Sequence, residues 1–322
     1  MVTTLDHTAA VAAAVRAPSL HNSQPWRFRA RDDGAIEVRF DPARRLPASD
    51  PTGWGAHLAI GAAVFNLRLA FAVQGVTPQM LLTPAGADQN LLAVVQPGPP
   101  HAATPVERRL WEAVGRRHSN RDPFFPDPVP AEARAQLVSA AREEGAWLEL
   151  LIGDGPLAAL SEIARTANEV LMRDEAYRAE ISAWTRNGAA SDGVPIEAGG
   201  PRPEPQDLLP ARPYSSEPRS TWQDFKGHPL VAVLGTVGDT VGDQLVAGQA
   251  LQRVLLTATD SDLSVSMVSQ PIELPSAREQ LRLALGRFGP PQMVLRIGYG
   301  VSGGPTPRRP IDDVMDQLID DA

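Results

Sequence analysis

The sequence predicts an α+β protein built from two similar halves, and three observations carry that prediction. Two long segments, 57–73 and 243–260, place apolar residues around most of a helical circumference, as buried helices do. Short runs read as strands: Ile36, Val38 and Phe40 alternate with Glu37 and Arg39, and 228–236 is almost continuously apolar. The two helices also match each other. His57-Leu58-Ala59-Ile60-Gly61 lies over Gln244-Leu245-Val246-Ala247-Gly248, and at the same offset Leu67 meets Val254, Leu69 meets Leu256 and Val76 meets Leu263. A chain of 322 residues is long for one core and comfortable for two.

In chain order, residues 8–16 form a short helix ending near Pro18, and 26–30 with 35–40 form a hairpin. Residues 42–55 are loop, rich in Pro, Ser, Asp and Gly. The first buried helix ends at Gly75, a left-handed cap, and strands follow at 78–83 and 91–95. Residues 104–117 are amphipathic, with Val106, Leu110, Trp111 and Val114 on one face and Pro105 in the first turn. A helix at 130–144 and a strand at 147–152 come next. Residues 156–184 are helical, in one piece or two. Residues 188–218 hold four Gly and seven Pro. A loop of that length in a compact protein is a lid or a surface excursion, and composition alone leaves both open. The strand 228–236, the second buried helix, a short helix at 274–285 and a strand at 292–298 complete the core. The tail 308–322 begins basic and ends in an amphipathic turn. The two halves divide as 1–103 and 104–322.

The net charge of −8 gives no basic footprint for nucleic acid, so a local basic cluster needs a local explanation. No cysteine is present, which removes disulfides, thiolate catalysis and Cys-ligated metals. The six histidines show no paired metal spacing. No apolar run reaches the roughly 20 residues that span a bilayer, and the first residues make a poor signal peptide, so a cytoplasmic protein without a membrane partner is expected. Gly-x-Gly-x-x-Gly, Walker A and Gly-x-Ser-x-Gly motifs are all missing.

Two segments concentrate polar chemistry. In APSLHNSQPWRF (17–28), Pro18 and Pro25 bracket a rigid extended turn carrying Ser19, His21, Asn22, Ser23 and Gln24. Amides at Asn22 and Gln24 offer donors and acceptors together, which suits a mixed ligand edge such as a flavin pyrimidine ring. They also suit plain capping and turning of the chain. In RRHSNRDPF (116–124), an extended backbone would point Arg117, Ser119 and Arg121 to one side, making a phosphate site of two guanidinium forks and a hydroxyl. The alternative is a solvated basic patch after a helix C-terminus. SQPIE (269–273) and Arg308-Arg309-Pro310 say little alone.

Together these segments resemble the nitroreductase superfamily, most closely its Acg-type, internally duplicated branch. APSLHNSQPWRF is similar to that family's A-P-S-x-x-N-x-Q-P-W-x-F, RRHSNRDPF to its Arg-(Arg/His)-Ser-x-Arg segment, SQPIE to the turn beside the flavin, and RRPIDDVM to its basic C-terminal end. The likeness runs from about residue 8 to residue 318. In ordinary nitroreductases the Arg–Ser–Arg segment precedes the Asn–Gln–Pro–Trp segment, and two chains share each flavin. Here the order is reversed across two halves, as a fused pseudo-dimer with one site would have it.

The resemblance implies a nitroreductase-like fold, with mixed sheets flanked by helices around long central helices, and one FMN. Arg117, Ser119 and Arg121 would hold its phosphate and the polar end of its ring, with Arg309 assisting. His118 stands where the family often has Arg. Pro18, Ser19, Asn22 and Gln24 would approach the ring from the first half, and Pro271, Ile272 and Glu273 would line its dimethylbenzene-to-N5 side. The flavin carries the chemistry, taking hydride from NAD(P)H and passing electrons to a nitroaromatic, quinone or similar small acceptor, with no catalytic side chain and no metal. An Arg of RRHSNR near the pyrimidine would stabilise the reduced ring. A lid at 188–218 that closes tightly would instead make a flavin-sequestering protein with little turnover; a duplicated scaffold that has lost its flavin is the third reading. The chain would act as a monomer, with further pairing left open.

Overall fold

In the computed structural model, which describes residues 5–86, 88–202, 204, 207–215, 229–300 and 306–316, the alternation seen in sequence makes the first sheet. Strands β1 (Trp26–Ala30) and β2 (Ile36–Phe40) pair antiparallel, with Phe28 opposite Val38. Their apolar positions face inward: Trp26, Phe28, Ile36 and Val38 are fully buried while Arg27, Arg29 and Glu37 are not. Strands β3 (Val76–Leu82) and β4 (Leu91–Pro100) extend the sheet, and β4 runs past the expected end because 96–100 pair with β3.

Helix α1 (His7–Ala14) is capped by Asp6. Helix α2 (Trp54–Val73) starts three residues before the predicted point. Asp50 explains the difference: its carboxylate accepts from the Gly55 and Ala56 N–H groups and satisfies the open first turn. Helix α3 (Pro105–Arg116) opens on a reciprocal Thr104–Glu107 capping box. Helix α4 (Ala131–Glu143) and strand β5 (Trp147–Leu151) follow. The long helical stretch is two pieces, α5 (Asp154–Arg173) and α6 (Glu175–Ala183), because the Asp174 carboxylate caps Ala176 N–H and restarts the helix.

The Pro/Gly-rich segment is not featureless. Strand β6 (Thr185–Arg186) pairs in parallel with β7 (Val194–Pro195), and a 3-10 turn covers Ile196–Ala198. Its residues 203, 205, 206 and 216–218 lie outside the described ones, as do His228 and the tail beyond residue 316. The second sheet combines β5 with β8 (Leu230–Gly235), β9 (Ser264–Val268) and β10 (Pro291–Gly298) in the order β5-β8-β10-β9, antiparallel throughout. Helix α7 (Val241–Asp260) has its own Thr240–Asp243 capping box. SQPIE, expected to be a turn, contains a short helix, α8 (Gln270–Glu273), which precedes α9 (Pro275–Ala284). After α10 (Ile311–Val314), strand β11 (Met315–Asp316) joins the first sheet beside β1, with Phe28 opposite Met315. That parallel pair makes the first sheet mixed, and the α+β expectation is met.

Helix α2 is long and apolar enough to cross a membrane, but it is buried inside the fold against α7. The repeated pentapeptide explains how. A methyl group on Gly61 would lie 2.2 Å from the Leu245 carbonyl oxygen, and one on Gly248 would lie 2.1 Å from the Leu58 carbonyl oxygen. Residue and partner exchange roles, as they do across a twofold dimer interface. His57 and Gln244, equivalent in the repeat, also meet, Nδ1 to Oε1 at 2.7 Å. Each helix feeds both cores: Leu245 and Leu256 of α7 pack with the first sheet's cluster, Trp54 and Leu58 of α2 with the second.

Alanine has the better helix propensity, by about 1 kcal/mol. Steric overlap should reverse that sign at the crossing: Gly61→Ala and Gly248→Ala should each destabilise the protein by ~1–3 kcal/mol. Urea denaturation measures this, and an unchanged or raised midpoint would contradict the reciprocal contact.

Candidate functional site

Segments that are far apart in sequence enclose a single cavity. The turn after α1 contributes Pro18, Ser19, Leu20 and His21; α2 contributes Trp54, Gly55, Leu58 and Ala59; α7 contributes Leu251. The second sheet supplies Ser266, Met267 and Val268 from β9, and Met293 and Arg296 from β10. Ser119, Asn120 and Arg121 form another wall. The Pro/Gly-rich segment closes over the space with Gly199, Pro210, Ala211, Arg212 and Tyr214.

The RRHSNR segment is held in place by β9. Ser119 forms a parallel bridge with Val265, the Asn120 N–H donates to the Val265 carbonyl at 2.8 Å, and Ser266 Oγ donates to the Asn120 carbonyl. The expected alternation therefore holds only in part. Ser119 and Arg121 line the cavity together with Asn120, whereas Arg117 does not. Arg117 is still the C-cap of α3, with its N–H bonded to the Ala113 carbonyl, so the bridge to β9 begins only two residues later. Its guanidinium donates to the Arg16 carbonyl at 2.8 Å. His118 is half-buried, and burial and then Arg117 hold its pKa below the usual value.

The APSLHNSQPW segment also differs from the extended turn expected. Its centre is a 3-10 turn at Leu20–Asn22, and His21, Asn22 and Gln24 have left-handed backbones with φ of 52°, 55° and 52°. Such a run in non-glycine residues persists only where many contacts fix it. Pro18 and Ser19 line the cavity, but the amides of Asn22 and Gln24 are spent elsewhere. Asn22 Nδ2 donates to the Gly193 and Pro307 carbonyls at 2.9 and 3.0 Å, and its Oδ1 accepts from Arg308 at 3.0 Å. Gln24 Nε2 donates to the Ser191 carbonyl at 2.9 Å, and its Oε1 accepts from the Arg309 N–H at 2.8 Å. These two side chains tie the base of the proline-rich segment to the chain's C-terminal end. The Arg309 guanidinium reaches the Asp313 carbonyl and Asp41, outside the cavity. In α8, Pro271 and Ile272 turn into the core and Glu273 pairs with Arg212, so only Ser269 and Gln270 reach the cavity from SQPIE.

The cavity is cationic. Among the described residues, Arg121, Arg212 and Arg296 line it and no Asp or Glu does. Burial opposes the Arg212 charge, but Glu273 and then Tyr177 and Tyr214 outweigh it and raise its pKa. Burial lowers that of Arg121, whose guanidinium sits 5.4 Å from the Tyr214 ring centre. A second group of cations gathers behind the turn after α1. Burial, then Arg121 and Arg16, push Arg117 down to about 10; burial, then Arg117, Arg16 and Arg121, push Arg308 down to about 9. Among the described residues, the Nε atoms of Arg117 and Arg308 are buried without a hydrogen-bond partner. Buried cations lacking an opposing charge are costly, and an anion that paired with them would remove that cost.

His21 is the polar residue whose importance the sequence concealed. Its Nδ1 lies 2.7 Å from the Tyr214 hydroxyl and its Nε2 lies 3.0 Å from Ser49 Oγ. Burial, followed by Arg212 and Arg121, pushes its pKa well below the ordinary value, so the ring is neutral. Arg212 and Tyr214 are invisible to local pattern because they sit among prolines, and Arg296 because it interrupts an apolar strand.

No family model matches the chain. It is 30% identical to the Mycobacterium tuberculosis (strain H37Rv) protein named "Putative NAD(P)H nitroreductase acg", over 98% of this chain and 96% of that one. It is 32% identical to "Putative NAD(P)H nitroreductase Rv3131" from the same strain, over 94% of this chain and 89% of that one. Among solved structures, a nitroreductase with bound FMN from Desulfitobacterium hafniense DCB-2 is 14% identical, covers 66% of this chain and 98% of its own, and superposes with a TM-score of 0.43. The FMN and NADPH-dependent nitroreductase NfnB from sphigopyxis sp. strain HMH is 18% identical, covers 65% and 98%, and gives 0.41.

The neutral His21 fixes the sign of one pH effect. Its pKa is depressed in the folded state, so on acidification below its ordinary value of 6.5 the unfolded chain takes a proton that the folded one refuses. Stability should fall between about pH 6.5 and 5 by up to ~1.4 kcal/mol per pH unit from this group. His21→Gln should remove that part of the slope. Equal losses of denaturation midpoint in wild type and variant between pH 7 and 5.5 would contradict the assignment.

Proposed function

This chain belongs to the nitroreductase superfamily, in its Acg-type branch, and we propose that it holds one FMN in the cationic cavity and moves electrons from NAD(P)H to a nitroaromatic, quinone or similar small acceptor. The observation that supports this most is the lining of the cavity: among the described residues it carries Arg121, Arg212 and Arg296 and no carboxylate, with Glu273 answering Arg212 from behind, against apolar walls of Leu58, Leu251 and Met293. An anionic cofactor with a flat aromatic body suits that combination. FMN, when bound, supplies hydride transfer and the electron relay.

The chain's own residues would divide the work. Ser119 and Arg121 would contact the cofactor directly, with Pro18 and Ser19 on the opposite wall. Arg117 and Arg308, which stand outside the cavity lining, would act on the phosphate through the charge of their buried guanidinium groups. Asn22, Gln24 and Arg309 would act indirectly, by clamping the cover and the tail that frame the site. Pro271, Ile272 and Glu273 would support the wall from behind, Glu273 by fixing Arg212. We assign the halves to 1–103 and 104–322, a monomer that reproduces a dimer within one chain, and place it in the cytoplasm, where NAD(P)H is supplied.

One observation favours a second reading. Arg212 and Tyr214 of the proline-rich segment are fastened over the cavity by Glu273 and His21. If that cover stays shut, the protein sequesters flavin and turns over little. Anaerobic NADPH separates the two: bleaching of the flavin absorbance on a turnover timescale supports the oxidoreductase, and a stable yellow protein supports sequestration.

A direct charge-assisted contact, as assigned to Arg121, is worth roughly 1.5–3 kcal/mol, and loss of the buried Arg117 charge behind it adds to that. Arg117→Ala combined with Arg121→Ala should therefore weaken FMN binding by at least about a hundredfold and yield colourless protein after gel filtration. Unchanged flavin absorbance per chain would overturn the assigned phosphate site.

A further inference from the structure

The reduction proposed above needs a proton, and the proline-rich segment covers the cavity. Reducing a quinone with one reduced nicotinamide consumes the hydride and one further proton, giving hydroquinone and the oxidised nicotinamide. Among the described residues, a short hydrogen-bonded chain crosses the wall that separates the cavity from the outside. Tyr214 and His21 line the cavity. Ser49, bonded to the far side of the His21 ring, lines a separate groove formed with Asp50, Thr52, Glu273 and Arg278. The imidazole links the two hydroxyls: Nδ1 to Tyr214 at 2.7 Å, Nε2 to Ser49 at 3.0 Å.

Several features hold this chain in register. His21 keeps a left-handed backbone, φ 52°, that turns its ring between the two hydroxyls. The Ser49 N–H donates to Glu180 Oε1 at 2.8 Å, and the neighbouring Ala48 N–H donates to Oε2 at 3.1 Å, fixing the Ser49 backbone to α6. The Tyr214 ring lies edge-on to His21, with centroids 5.9 Å apart and planes at 77°, and the Arg121 guanidinium sits over it, 5.4 Å from its centroid. The charged groups around the pair are Arg121, Arg212 and Glu273. Burial keeps the phenol protonated and the imidazole neutral, the states in which each hydroxyl can face one ring nitrogen.

We propose that Ser49, His21 and Tyr214 form a proton wire that feeds the covered cavity from the outer groove, with Tyr214 as the final donor; this rests on the oxidoreductase reading above. As the acceptor is reduced, the Tyr214 O–H bond breaks and the acceptor's new O–H bond forms. The His21 Nδ1 proton passes to the phenolate oxygen, the Ser49 hydroxyl proton passes to Nε2, and water in the groove restores the Ser49 proton. One proton enters and one is delivered, and the ring changes tautomer. Opening of the cover, which exchanges substrate for product, resets the tautomer through bulk water.

The test uses the full chain and two readouts. In the purified protein, ¹⁵N NMR of the His21 ring follows exchange of its N–H with deuterated solvent. The wire predicts that Ser49→Ala slows this exchange by about tenfold or more, and that Tyr214→Phe shifts the Nδ1 resonance. Exchange that Ser49→Ala leaves unchanged overturns the groove route, whether or not flavin is bound. In FMN-loaded protein reduced by NADPH, Tyr214→Phe should slow single-turnover quinone reduction per bound FMN by about 10- to 100-fold, at the low end of general-acid effects and below, and reduce its solvent isotope effect. A wild-type rate in that variant overturns Tyr214 as donor. Colourless wild-type protein that refuses FMN would count against the flavin reading, while the exchange experiment still decides the wire.

Discussion

Two helices can touch backbone to backbone only where both lack a side chain. Gly61 and Gly248 provide that absence at one crossing, and the remainder of the molecule is arranged around it. The contact is reciprocal, so each helix treats the other as a dimer partner would, although both belong to one chain. Close approach lets Leu245 and Leu256 cross into the first core and Trp54 and Leu58 into the second. Neither half could bury its long helix alone. The cavity depends on the same crossing, because α2 contributes Trp54 and Leu58 to its wall and α7 contributes Leu251.

Charge then decides what the cavity suits. Among the described residues no carboxylate lines it beside Arg121, and Arg117 and Arg308 are buried nearby with Nε atoms that have no hydrogen-bond partner. An isolated fold would gain stability by replacing such groups with apolar ones, since uncompensated buried charge is a net cost. A ligand that brings the missing negative charge would account for their presence, as the proposed FMN phosphate does. The proline-rich segment answers part of the same field: Arg212 brings its own partner, Glu273, and Tyr214 places a ring against Arg121. The segment is therefore bonded to the site it covers, rather than merely passing over it.

The fold was largely legible in the sequence because it follows from patterns that are local. The encircling apolar residues of 57–73 and 243–260, the alternation at 36–40 and the apolar runs at 228–236 and 292–298 each indicate burial directly. Boundaries moved where a side chain some residues away intervened, as Asp50 did for α2 and Asp174 between α5 and α6. The site was legible only in part. Ser19, Ser119 and Arg121 line the cavity, whereas the Asn22 and Gln24 amides bond to other backbone groups in a turn with three left-handed residues that no composition rule foretells. Arg212, Tyr214 and Arg296 belong to the site through tertiary contacts alone.

The central claim is that two halves, joined at one glycine crossing, build a single anion-accepting cavity. The most direct measurement is the stoichiometry of FMN binding, followed by quenching of flavin fluorescence as protein stripped of ligand is titrated into FMN. The account predicts saturation at one FMN per chain. Saturation at two would mean that each half keeps its own site, and no quenching would mean that the buried arginines serve something other than a flavin phosphate.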